Sequence, residues 1–182
     1  MQREVKMQFA PWRRVADWHC RMCGECCKLY SVVLNLHEWL RIVKTYGAEK
    51  TATGIDKLYI NKRMDGSCAF LCNFSNSYMC GLQQMKPKAC QLWPFKVLEK
   101  PTYGFANEAA YEYGGNKLFV YIDTMCNGVR HGMPSWAFAN HTIREFVEIA
   151  AGLQNVQHRS TVNTVFPSLF QQYWHRNFSY QF

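Results

Sequence analysis

The stretch HCRMCGECCKLY, residues 19–30, places Cys20, Cys23, Cys26 and Cys27 within eight residues. Its reading decides how the rest of the chain is organised. Two spacers of two residues in succession, Cys20-x2-Cys23-x2-Cys26, let a short loop wrap one metal centre. Five more cysteines follow at irregular intervals: Cys68, Cys72, Cys80, Cys90 and Cys126. The competing reading is a secreted disulfide scaffold. The odd total of nine and the vicinal pair Cys26-Cys27 speak against it. So does the opening segment MQREVKMQFAPWRRVADW, which lacks the apolar run of a secretory signal. The expected compartment is a reducing cytoplasm, where thiols stay available to metal.

At 182 residues, 48% of them hydrophobic, the chain can bury a core as one domain with a modest appendage. The expected division is a cysteine-cluster domain over residues 1–132 and a helical extension over 133–182 packed on it. No run of about 20 apolar residues occurs, so no membrane span is expected. The net charge is +8. Four thiolates on a divalent zinc, or on a [4Fe–4S] core, leave about −2 per site, so two sites would lower that to about +4. The basic residues are scattered. A solvated surface that balances thiolate charge explains them better than a nucleic-acid interface, which stays open as the weaker reading.

No repeat, linker or low-complexity segment interrupts the chain. Trp12 and Trp18 are expected to pack on the body. In LYSVVLNLHEWLRIVKTYG, Asn35 and Glu38 have capping-box spacing, Leu36, Trp39, Leu40 and Val43 make an apolar helix face, and Gly47 is a stop. Residues 48–66 read as a connector and 67–94 as loop, where metal stands in for a hydrophobic core. PFKVLEK, YGFANEAAYEY and KLFVYID read as strands, with GGN as a turn. This small antiparallel sheet leads to Cys126. From Ser135, SWAFANHTIREFVEIAAGL reads as an amphipathic helix with Trp136, Ile143, Phe146, Val147 and Ala150 on one side. A shorter helix is expected at about 167–176, followed by a docked aromatic tail. The fold class is therefore α+β: a small metal-organised domain with a short antiparallel sheet and flanking helices.

Three sequential ligands with a remote fourth is the sequence pattern of an iron–sulfur cubane, whereas structural zinc more often shows two separate knuckles. The spacing leans to iron–sulfur and leaves zinc open. Adjacent side chains generally diverge, so Cys26 and Cys27 are expected to serve two neighbouring centres. One is then built on Cys20, Cys23 and Cys26 plus a remote cysteine, the other on Cys27 and the remaining three. Eight ligands are needed and nine cysteines are present; Cys72, close behind Cys68, is taken as the surplus thiol.

These residues, C-x2-C-x2-C-C followed by LNLHEWL, then CAFL from Cys68, Cys80, MKPKAC ending at Cys90, WPF at Trp93 to Phe95, and CNG from Cys126, resemble the CxxCxxCC family. Its members are also called YkgJ-like cysteine cluster proteins, a zinc- or iron-chelating domain. The resemblance covers about residues 18–131, with eight cysteines in order: Cys20, Cys23, Cys26, Cys27, Cys68, Cys80, Cys90 and Cys126. Two positions depart from the family pattern. Lys86 stands where an Arg precedes Pro, and Gln91 where an Arg follows the cysteine, and Lys lacks the bidentate fork of Arg. The resemblance also implies a runner-up activity, because flagellin lysine methylases with a similar cluster use S-adenosylmethionine. This chain has neither a glycine-rich strand-turn-helix nor C-x3-C-x2-C for that cofactor.

His19 and His131 adjoin the cysteine segments and read as surface or supporting residues; His37 and His141 read as ordinary helix residues. Glu25 reads as a solvated loop residue, and Asp123 as a group that can orient Cys126. Lys86, Lys88 and Lys96 around the Cys90 turn read as counter-charge to thiolates, with anion binding as the alternative. The six tryptophans are spread across elements, as core and metal-shielding packing requires, and Phe119 and Tyr121 on one strand face are a slight pointer to nucleic-acid stacking. Three functions compete: an iron–sulfur or zinc protein in electron transfer or metal handling; an S-adenosylmethionine-dependent protein (lysine) methylase-like enzyme; and a structural zinc module that binds a protein or RNA partner. A protein partner is expected in the first and third. The sequence leaves open whether the chain is an enzyme.

Overall fold

The computed structural model describes residues 8–74 and 77–159. In chain order the strands are β1 (Phe9–Pro11), β2 (Val15–Trp18), β3 (Val33–Leu34), β4 (Thr51–Thr53), β5 (Leu58–Ile60), β6 (Leu71–Phe74), β7 (Ser77–Cys80), β8 (Phe95–Leu98), β9 (Ala110–Tyr113), β10 (Asn116–Asp123) and β11 (Val129–His131). The helices are α1 (Glu25–Leu29), α2 (Leu36–Tyr46), α3 (Lys88–Leu92), α4 (Ala106–Ala109) and α5 (Ile143–Ala151). The α+β class is as the sequence predicts. No helix among the described residues is long and apolar enough to cross a membrane.

The chain packs as two compact units that interleave in sequence. The first holds residues 8–23 and 90–159, the second residues 24–74 and 77–89. This division follows packing, whereas the expected boundary at 132 separated cysteine-bearing from cysteine-free sequence.

In the first unit β10 is the spine of an antiparallel sheet of order β1-β10-β8, with β9 also paired to β10. Its run Phe119 to Asp123 is buried on both faces, which explains the near-continuous apolar stretch. Val120 and Ile122 face a core of Trp12, Trp18, Phe95, Phe138, Ile143, Phe146 and Val147, while Phe119 and Tyr121 pack on Ala109. Gly114 and Gly115, at φ 57 and 77, make the β9–β10 turn, a backbone conformation open to glycine. YGFANEAAYEY is only half strand: Ala106–Ala109, rich in helix formers, winds one helical turn before β9 begins. Trp136 is 71% exposed rather than buried, because a π-helical segment, Phe138–Thr142, rotates the face that precedes α5.

In the second unit α2 starts at the expected capping box. The Asn35 side chain accepts the Glu38 N–H at 2.8 Å, and the Glu38 carboxylate accepts the Asn35 N–H at 2.9 Å. Gly47 ends it. The buried face is different from the one expected. Ile42 is fully buried with Trp39 and Tyr46 beside it, while Leu36 and Leu40 are exposed. Residues 48–66 are more than a connector: β4 and β3 flank β5 in a three-stranded sheet. Residues 67–94 are more than loop. They contain the β6–β7 hairpin and supply Phe70, Leu71 and Leu82 to a core shared with Leu34, Ile42 and Ile60. The expected helix at 167–176 and the aromatic tail lie outside the described residues.

Candidate metal centre

The fold divides the first cysteine motif. Cys20 and Cys23 belong to the first unit, Cys26 and Cys27 to the second. Cys90 and Cys126 join the former, Cys68, Cys72 and Cys80 the latter. None of the nine cysteines is joined in a disulfide.

The second-unit thiols gather around Cys27. Helix α1 is preceded by its N-cap Gly24, whose φ of 73 and whose position 2.8 Å from the Tyr78 ring, measured from a hypothetical Cβ, leave no room for another residue. The helix carries Cys26 and Cys27 with their sulfurs 4.0 Å apart. The expectation that adjacent cysteines diverge is overturned here. Consecutive residues on a helix turn by about 100°, and two side chains this short do not separate far at that angle. The Cys27 carbonyl accepts the Cys68 N–H at 2.8 Å, which ties the residue 61–69 loop to α1 and brings the Cys68 thiol onto Cys27. Cys80 ends β7 and accepts the Leu82 N–H at 3.4 Å. In the hairpin Cys80 lies opposite Leu71 and Cys72 opposite Met79, so the Cys72 and Cys80 side chains leave opposite faces. Cys72 is buried with its sulfur near the Phe70 carbonyl.

These contacts shift the thiols in opposite directions. Hydrogen bonding from Cys27 lowers Cys26 to about 7, helped by the charge of Lys86. Hydrogen bonding with Cys27 likewise lowers Cys68 to about 7, helped by Arg63. Cys27, hydrogen-bonded to both and buried, is pushed well up and keeps its proton. Burial pushes Cys80 up to about 11, against the pull of Lys86. Lys86 thus faces the thiols as expected. Lys96 instead lies over the Phe9 and Tyr103 rings, and the backbone N–H of Lys88, at the start of α3, donates to the Glu38 carboxylate. Arg63 escaped the sequence reading. It lies in a loop without periodicity, and its guanidinium is held by the Ala69 carbonyl at 3.0 Å.

In the first unit Cys20 and Cys126 pack against the same apolar core. Cys126 is set by the turn after β10. Its N–H reaches the Asp123 carbonyl at 3.2 Å, and the buried Asp123 carboxylate takes the Met125 N–H at 2.9 Å, so Asp123 shapes the turn that presents the thiol. The Trp18 indole N–H donates to the Cys126 sulfur at 3.4 Å. Cys23 and Cys90 are half-buried in the same unit. His19 and His131 are exposed, and Glu25 pairs with Lys28.

The donor sets are of the right chemistry for metal: four soft sulfurs in each unit beside the surplus Cys72. Four thiolates about 2.3 Å from one tetrahedral ion stand roughly 3.8 Å apart, and the Cys26–Cys27 separation matches that spacing. The terminal thiolates of a cubane sit on different irons and stand farther apart. Among the described residues no group of three or more His, Cys, Asp or Glu is drawn close enough to hold an ion as it stands. The thiols are gathered without being closed into a shell.

A family model matches residues 19–127, from the residue before Cys20 to the one after Cys126. Its description is CxxCxxCC, "Putative zinc- or iron-chelating domain". The chain belongs to the CxxCxxCC family. No curated protein and no solved structure matches it. The family assignment makes zinc or iron the metal class, and the matched span contains all nine cysteines.

Proposed function

We propose that this CxxCxxCC protein is a metal-handling protein with two thiolate sites. Cys26, Cys27, Cys68 and Cys80 hold one ion, and Cys20, Cys23, Cys90 and Cys126 hold the other. The observation that carries the reading is the contact of Cys27 with both Cys26 and Cys68. A 4.0 Å sulfur pair favours a single zinc or iron ion in the second unit over a cubane. Bound metal replaces the protons shared by these thiols, and Lys86 and Arg63 offset the resulting negative charge. An apolar core in each unit supports handling over a purely structural role, since metal can leave without removing what the unit packs around.

The test is elemental and sulfide analysis of anaerobically purified protein, with X-ray absorption at the metal edge. About two ions per chain, no sulfide and a sulfur shell near roughly 2.3 Å are expected. About four or eight irons with matching sulfide would overturn the single-ion reading in favour of clusters. Protein that takes up neither zinc nor iron would overturn chelation altogether.

A further inference from the structure

We infer that Trp18 is a positioning residue for a metal-bound Cys126 thiolate, its indole N–H holding the sulfur by a hydrogen bond. The inference rests on the reading of Cys126 as a ligand. Trp18 is 4% exposed, and its ring meets Phe95 and Phe146 edge to face at 5.2 and 5.3 Å. An indole only donates, and leaving a donor this deeply buried without an acceptor costs free energy. The acceptor it has is the Cys126 sulfur, at 3.4 Å. A neutral thiol accepts weakly; a thiolate accepts as an anion, in the stronger class of hydrogen bond. The donor is therefore placed for the deprotonated form, which is the form that binds metal.

The backbone around the pair is built for the same approach. β2 pairs with β11 through Trp18 and Val129, and the His19 N–H binds the Gly128 carbonyl at 3.3 Å. A Cβ at Gly128 would stand 2.1 Å from the His19 carbonyl oxygen and 3.2 Å from the indole nitrogen. Only glycine lets the Cys126–Gly128 turn close over the ring. A hydrogen bond to a ligating sulfur draws electron density from it. It weakens charge donation to the metal and stabilises the anionic ligand shell.

The test uses the full chain loaded with cobalt(II). Trp18→Phe keeps a buried ring and removes the donor. It is expected to move the thiolate-to-cobalt charge-transfer band of one of the two ions to longer wavelength, and to weaken that ion about 10-fold, as loss of a supporting hydrogen bond does. Phe146→Leu disturbs the same packing, keeps the donor, and should leave the band in place. An equal shift in Phe146→Leu would assign the effect to packing and overturn the inference. Cys126→Ser separates the two levels of the argument. If it loses one cobalt while Trp18→Phe matches wild type, the inference fails alone. If it keeps both ions with unchanged bands, the ligand reading fails and the inference goes with it. Should Trp18→Phe not fold, wild-type protein loaded with spin-active cadmium decides. Scalar coupling between the metal and the Trp18 indole proton supports the bond, and its absence overturns it.

Discussion

At the scale of single residues, the cysteines of the second unit are unequal. Cys27 contacts both Cys26 and Cys68, and Cys72 turns away with the opposite face of the hairpin. Cys26→Ser, Cys27→Ser and Cys68→Ser are each expected to lose about one ion of two, and Cys72→Ser none, by metal analysis after gel filtration. Full metal retention in Cys27→Ser would remove the second-unit site. The proton distribution has its own signature in metal-free protein. Cys26 should alkylate with a half-maximal rate near pH 7, and Cys80 only as pH approaches about 11, measured by mass spectrometry of labelled peptides. The two thiols also act oppositely on stability. A lowered value, as at Cys26, favours the folded state above the ordinary thiol range, and the benefit is lost as pH falls through about 7. A raised value, as at Cys80, favours it below that range, and the benefit is lost as pH rises through about 11.

At the scale of elements, α1 and α2 depend on their N-cap residues for different reasons. Asn35 closes a reciprocal capping box, and Asn35→Ala is expected to cost about 1 kcal/mol in denaturant unfolding. Gly24 stands in the left-handed region against the Tyr78 ring. Gly24→Ala should exceed the roughly 1 kcal/mol of a strained glycine replacement, because the added methyl also displaces Tyr78 and with it the start of the Cys26-Cys27 helix. Weaker metal binding should accompany that loss, whereas Asn35→Ala should leave metal content unchanged. The capping box was legible because it is a local code at fixed spacing. The buried face of α2 was not: Leu36, Leu40 and Ile42 are all apolar, and the position of β5 and Phe70 decides which of them is covered. The π-helical segment before α5 likewise breaks the 3.6-residue period, and Trp136 lies exposed, off the side that the period predicts.

At the scale of the whole molecule, each unit has an apolar core as well as a set of thiols. Residues 67–94 lack a helix or strand period in the sequence, yet Phe70, Leu71 and Leu82 are each at most 5% exposed. Chelation is therefore expected to lower the thermal midpoint but leave a cooperative transition and most of the far-ultraviolet circular dichroism. A chain that melts to coil on chelation would show that metal is the core after all. In the first unit, where Phe146 stacks on Phe95 at 3.8 Å, Phe146→Ala should cost about 3–5 kcal/mol whether or not metal is bound.

What the sequence by itself determined follows from short-range chemistry: the inventory of soft ligands, the family their order matches, the capped α2, and the strand that leads to Cys126. Only the tertiary structure decided how the thiols are shared. Cys26 sides with Cys27 because a helix starts just after Gly24. Cys68 joins them because its N–H binds the Cys27 carbonyl from far along the chain. Cys126 meets Trp18 across the β2–β11 pairing, at a separation that no spacing rule encodes. The physical reason is the same in each case. Ligand type is a property of a residue, but ligand grouping is set by hydrogen-bond register and packing between segments distant in sequence.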